Sequence, residues 1–102
     1  MSFMRLSDFE AMVRRMATEV PEEFLEGIAE IVVSPRAPVH GERPDVHTLG
    51  ECVPLPSPTD EPGTTQSRVV LYHGSFAALA REDSSFDWRE EAWETLTHEL
   101  RH

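Results

Sequence analysis

The position of the prolines constrains this chain more than any other feature. Seven of the eight prolines and three of the five glycines lie within residues 35–66. Proline lacks a backbone donor and is poorly tolerated inside helices and central strands. We therefore expect a long loop over residues 35–66, with regular structure before and after it. A loop of this length in a compact domain is often functional, and we expect this one to border a binding cleft.

The segment before the loop predicts a helix and then a strand. Ser7 and Glu10 match a capping box, which predicts a helix beginning near Ser7. Residues 21–27 predict one or two further turns, from a proline to a glycine, and residues 28–35 predict a β-branched strand. The helix carries one apolar stripe at helical spacing: Phe9, Met12, Val13, Met16 and Val20.

The segment after the loop predicts a second strand at 69–72, a short helical stretch and a long final helix. Asp87 and Glu90 indicate a capped start, and no glycine or proline interrupts residues 88–102. With 102 residues, 39% of them hydrophobic, the chain can bury one modest core. We predict a single α+β domain, with helices packed on a short mixed sheet of three or four strands.

Composition narrows the classes of partner. The net charge is −10, and all nine basic residues are arginine. An acidic surface disfavours nucleic acid and anionic membranes, because phosphate binding needs a basic patch. No apolar run is long enough to cross a bilayer, and no signal peptide is evident. Cys52 is the sole cysteine, which excludes an intramolecular disulfide. These features predict a cytoplasmic protein.

The chain ends with "HELRH", an H-E-x-x-H motif formed by His98, Glu99 and His102. Histidines at i and i+4 lie one above the other on a helix, so both imidazoles can reach one metal ion. On a helical wheel, the two histidines border the apolar stripe and Glu99 leans into it. The pattern is typical of a zinc site in which a carboxylate takes a proton from water.

The whole of residues 8–102 resembles the small bacterial zincin-like metallopeptidases with a minimal zincin fold. The segments that carry the resemblance are "FEAMVRRMATEVPEEF", "TLGECVPLP", "RVVLYHGSFAAL" and "REEAWETLTHELRH", in that order. The resemblance implies that His98 and His102 are zinc ligands, that Glu99 is the general base and that peptides or proteins are the substrates. It also implies a further ligand beyond residue 102, so we expect this sequence to be a truncated domain.

The sequence leaves other roles open. His40, His47 and His73 are possible third ligands from within the chain, and His73 is the best of them because it follows a strand. Glu91 could hydrogen-bond a ligand histidine, and Tyr72 could steady an oxyanion. The alternative to a peptidase is a non-catalytic metal-binding or peptide-interaction module on a degenerate zincin scaffold. A plain structural domain with a fortuitous motif is a third, weaker interpretation.

Overall fold

A computed structural model describes residues 3–56 and 65–101. Within those ranges, three helices and five strands follow one another along the chain, and they confirm the predicted α+β class. Their bounds are α1 (Leu6–Glu19), β1 (Ile28–Ser34), β2 (Val39–His40), β3 (Arg43–His47), β4 (Gly50–Pro54), β5 (Ser67–Tyr72), α2 (His73–Glu82) and α3 (Trp88–Leu100), with a 3-10 turn at Glu22–Leu25 between α1 and β1.

Helix α1 begins earlier than its capping box predicted. Arg5 occupies the N-cap position without a side-chain hydrogen bond, and its carbonyl accepts from the Phe9 backbone N–H. Ser7 therefore lies inside the helix, and the predicted capping box is wrong. The apolar stripe is confirmed, since all five of its residues are buried. Burial of that stripe, rather than the cap, determines how the helix is placed.

The central sheet has the order β1-β5-β4, with β5 in the middle. Strand β5 runs parallel to β1 and antiparallel to β4. Helix α1 packs against β1, and α3 packs against both β4 and β5. Val69 and Leu71 of β5 are fully buried beneath the helices. Strand β5 therefore lies in the core and positions β4, the edge strand that packs against α3.

The prediction of a long loop over residues 35–66 is wrong for much of its length. Strands β2 and β3 pair as an antiparallel hairpin, and β4 pairs with β5 from Gly50 to Pro54. The prolines are accommodated because these strands are short and β4 lies at an edge of the sheet. Residues 57–64 lie outside the described part of the chain.

An aromatic cluster holds the junction of β5 and α2. His73 is 8% exposed, and its Nε2 lies 2.7 Å from the Met4 carbonyl oxygen. Its ring stacks on Trp88 with a centroid separation of 5.6 Å, and Phe9 contacts both rings. The first turn of α2 also meets the segment after β1, because Gly74 approaches the carbonyl oxygens of residues 35 and 36. None of the helices in the described ranges is long and apolar enough to cross a membrane.

Candidate metal centre

Helix α3 carries His98 and Glu99 of the H-E-x-x-H motif in its last turn. Its start is capped as predicted, since the Asp87 side chain accepts a hydrogen bond of 3.0 Å from the Glu90 backbone N–H. The helix ends at Leu100, two residues before the predicted end, and Arg101 follows as a turn. His98 is exposed, whereas Glu99 keeps only 9% of its surface exposed. The predicted lean of Glu99 toward the buried side is therefore confirmed, while His102 lies outside the described residues.

Strand β4 crosses α3 closely at this turn. A Cβ on Gly50 would lie 2.8 Å from Thr95 Cγ2, 3.2 Å from the Val70 carbonyl oxygen and 3.4 Å from Glu99 Cγ. The first of these distances is shorter than real side-chain contacts allow. Gly50 therefore permits an approach of strand to helix that a larger residue would prevent. This approach places one wall against the Glu99 side chain.

His98 and Glu99 line an open pocket of about 400 Å³. Helix α3 supplies one wall, and the segment that joins β3 to β4 supplies the other. The two described residues of the motif thus lie in one pocket with side chains from a separate part of the chain. Six further residues line it: His47, Leu49, Gly50, Glu91, Glu94 and Thr95.

The pocket is strongly acidic. Three carboxylates line it, from Glu91, Glu94 and Glu99, and no arginine of the described ranges does. Burial raises the pKa of Glu91 above its ordinary value, and the neighbouring carboxylates of Glu94 and Glu90 raise it further. Each of these effects disfavours a negative charge. The mutual repulsion of the clustered carboxylates therefore favours a cation in the pocket.

The donor types fit zinc, which binds imidazole nitrogen and carboxylate oxygen. Within residues 3–56 and 65–101, however, no group of three His, Cys, Asp or Glu side chains is placed to hold a metal ion. Of the motif's two histidines, the described part of the chain includes His98 and leaves out His102. The roles of His98, Glu99 and His102 therefore stay predictions.

The part of the chain that carries the motif matches a known protein family. The model of the family described as zincin-like metallopeptidase matches residues 28–102. This chain belongs to the zincin-like metallopeptidase family. A solved structure with the same fold is that of a conserved hypothetical protein from Thermus thermophilus, with 36% sequence identity and a TM-score of 0.81. The match covers 96% of this chain and 92% of that one. No curated protein matches the sequence.

Family membership implies zinc binding in general terms. Three other residues with suitable side chains, His73, Tyr72 and Cys52, do not line the pocket. His73 does not line the pocket, since its ring is enclosed by aromatic side chains and bonded to the Met4 carbonyl. The Tyr72 hydroxyl donates to Glu51 instead of facing the motif, and burial followed by the Glu51 charge raises its pKa. Cys52 is half-buried on β4 and packs against the core. Neither Tyr72 nor Cys52 lines the pocket.

His47 and Gly50 both line the pocket of this zincin-like chain, although the sequence favours neither as a site residue. The sequence favours His73 over His47, yet His47 lines the pocket and His73 does not. The sequence also places Gly50 in a loop, yet Gly50 determines how closely β4 approaches α3. The available signal is local: "HTLGEC" joins a histidine to a glycine just before a short apolar run. That signal does not reveal which helix the run will pack against.

Proposed function

We propose that this protein is a zinc-dependent metallopeptidase that hydrolyses peptide bonds, with Glu99 as general base. The observation that carries the proposal is the placement of the motif. His98 and Glu99 lie on the last turn of a capped helix and line one pocket, in a chain that belongs to the zincin-like family. His98 and His102 would hold the metal through their imidazoles.

Glu99 has the surroundings that a general base of this kind requires. It is largely buried, and β4 passes close to its side chain, which limits the rotamers it can adopt. When bound, zinc would polarise a water molecule and a peptide carbonyl and lower the pKa of that water. Glu99 would accept the water proton as the oxygen attacks the carbonyl carbon, and would then deliver that proton to the leaving amine.

The pocket also suggests how a peptide would reach the motif. It is open to solvent, and β4 is an edge strand of the central sheet. An extended peptide can add to such an edge through backbone hydrogen bonds. A peptide on β4 would pass Gly50, which faces the turn that holds Glu99. Backbone recognition of this type accepts many sequences, so we expect a preference for extended substrates over folded ones.

Zinc content and cleavage of unstructured peptides test the proposal together. We expect one zinc per chain in the wild type, loss of zinc in His98→Ala, and retention of zinc with loss of cleavage in Glu99→Gln. Glu90→Gln is the matched control, because Glu90 is an exposed carboxylate on the same helix that does not line the pocket. It should keep both zinc and cleavage.

Two results would point elsewhere. Stoichiometric zinc without cleavage of any peptide, in protein that is folded, would favour the non-catalytic interaction module. Failure to bind zinc after incubation with the metal would reduce the motif to the end of a helix. Equal loss of cleavage in Glu99→Gln and Glu90→Gln would remove the special role of Glu99.

A further inference from the structure

His47 lines the same pocket as His98 and Glu99 but comes from the opposite wall. It is the last residue of β3, more than fifty positions before the motif. The mechanism proposed above gives it no role. A histidine that lines the same pocket as the proposed general base can contact a ligand bound in that pocket.

The backbone around His47 is fixed on both sides. His47 pairs with Val39 across the β2–β3 hairpin, and the Thr48 backbone N–H donates to the Pro38 carbonyl at 2.9 Å. The Leu49 carbonyl then accepts a bond of 2.9 Å from the Tyr72 backbone N–H. The ring is therefore carried by a segment tied to the hairpin and to the central sheet, as a precise contact with a ligand requires.

The two ring nitrogens of His47 differ in their surroundings. Nδ1 is buried and has no hydrogen-bond partner among the described residues. A proton on Nδ1 would create a buried N–H without an acceptor, which is a costly arrangement. A proton on Nε2 avoids a buried N–H without an acceptor. The unpartnered Nδ1 therefore favours a ring that carries its proton on Nε2 and donates from there.

The same asymmetry argues against zinc ligation by His47. A histidine that binds a metal through one nitrogen almost always donates the N–H of the other nitrogen to a carboxylate, carbonyl or water. Ligation through Nε2 would move the proton to Nδ1, where the described residues offer no acceptor. A ring with its proton on Nε2 is suited instead to donate to an acceptor in the pocket.

We propose that His47 contacts the substrate, donating a hydrogen bond from Nε2 to a carbonyl oxygen of the bound peptide. The inference rests on the proposed peptidase function and adds a second wall to its site. His47 would orient the peptide against Glu99, and it would take no proton from the reacting water. The bond would strengthen as negative charge develops on that oxygen.

Peptide binding to an inactive form provides a test that does not depend on turnover. In a Glu99→Gln background, zinc-loaded protein should bind an unstructured peptide without cutting it. Addition of His47→Gln should weaken the Kd by about tenfold, the size of one hydrogen bond to a polar acceptor. Addition of His40→Gln should leave the Kd unchanged, because His40 is an exposed histidine of the same hairpin that does not line the pocket.

Activity and zinc content complete the test. In the active protein, His47→Gln should lower kcat/KM by about 10- to 100-fold while zinc content and thermal midpoint stay at the wild-type level. Equal behaviour of His47→Gln and His40→Gln would overturn the substrate contact while leaving the peptidase intact. Loss of zinc in His47→Gln would make His47 a ligand and would equally overturn the donor role. A wild type that neither binds zinc nor cleaves peptides would refute the proposed function itself, and the inference with it.

Discussion

Substitution of Gly50 by alanine tests the contact between β4 and the motif helix. The added methyl group would lie 2.8 Å from Thr95 Cγ2 and 3.2 Å from the Val70 carbonyl oxygen. Val70 belongs to the neighbouring strand and cannot move without disturbing the ladder between β4 and β5. Thr95 is buried on α3, and its β-branched side chain is stiff about the first torsion angle. The strand and the helix must therefore separate slightly.

The expected cost follows from the size of this overlap. Overpacking by one methyl group in a well-packed core costs about 1–3 kcal/mol. Alanine also reduces the entropy of the unfolded chain, which offsets about 0.4–1 kcal/mol of that loss. The net cost is then about 1–2 kcal/mol, which in a domain of this size corresponds to a fall in Tm of about 5–15 °C. Peptide cleavage should fall as well, because the wall moves away from Glu99.

A double-mutant cycle in thermal and urea unfolding isolates the contact. Thr95→Ser removes the methyl group that Gly50→Ala would strike, at a cost of about 0.8 kcal/mol for one buried carbon. The double variant should be more stable than the sum of the two single variants predicts, by about 1 kcal/mol. Gly41→Ala is the matched control, because a Cβ on Gly41 meets nothing within 4 Å.

Two outcomes would refute this reasoning. One is a Gly50→Ala variant as stable as Gly41→Ala, which would show that β4 does not press on α3. The other is strict additivity of Gly50→Ala and Thr95→Ser, which would place the cost on the Val70 carbonyl or elsewhere.

Two further changes on α3 test its cap and its acidic face. Asp87→Ala should lower the free energy of unfolding by about 0.5–2 kcal/mol, because the Glu90 N–H loses its acceptor; an unchanged urea midpoint would contradict the assigned cap. Glu91→Gln should raise stability near neutral pH. The folded state raises the pKa of Glu91, so its stabilising contribution exists at acidic pH and is lost as pH rises through that pKa. The difference from wild type should vanish in acid, and a stability gain that does not depend on pH would exclude this cause.

The sequence predicted the helices well because their signals are local. The apolar stripe of α1 and the Asp87 cap of α3 are each contained within a few turns, and both are confirmed. The predicted capping box failed because the helix begins at Leu6, so Ser7 and Glu10 keep the spacing of the motif although Ser7 is not the N-cap residue. The packing of an apolar face contributes more to the stability of a helix than a short polar capping motif does.

The residues that form the second wall of the pocket could not be predicted from local sequence signals. Strand β4 lies within a proline-rich stretch. It forms because it pairs with β5, which follows residues 57–64 in the sequence. His47 gains its importance because it lines a pocket with α3, and Gly50 because it lies against α3, more than forty positions later. Nothing in their immediate neighbours encodes that contact. The helix half of the site was therefore predicted from sequence, whereas the strand half required the fold.

The side of β4 away from β5 pairs with no other strand of the described residues, and it has two opposing requirements. An unpaired strand edge exposes backbone donors and acceptors, and it can pair with any extended chain, including another copy of itself. Here the strand is short, Glu51 on it is exposed, and Pro54 at its end has no N–H to offer. Charge, shortness and proline are the features by which natural sheets resist aggregation at their edges. An edge protected in this way favours reversible pairing with one flexible peptide over stable edge-to-edge association with another copy of the protein.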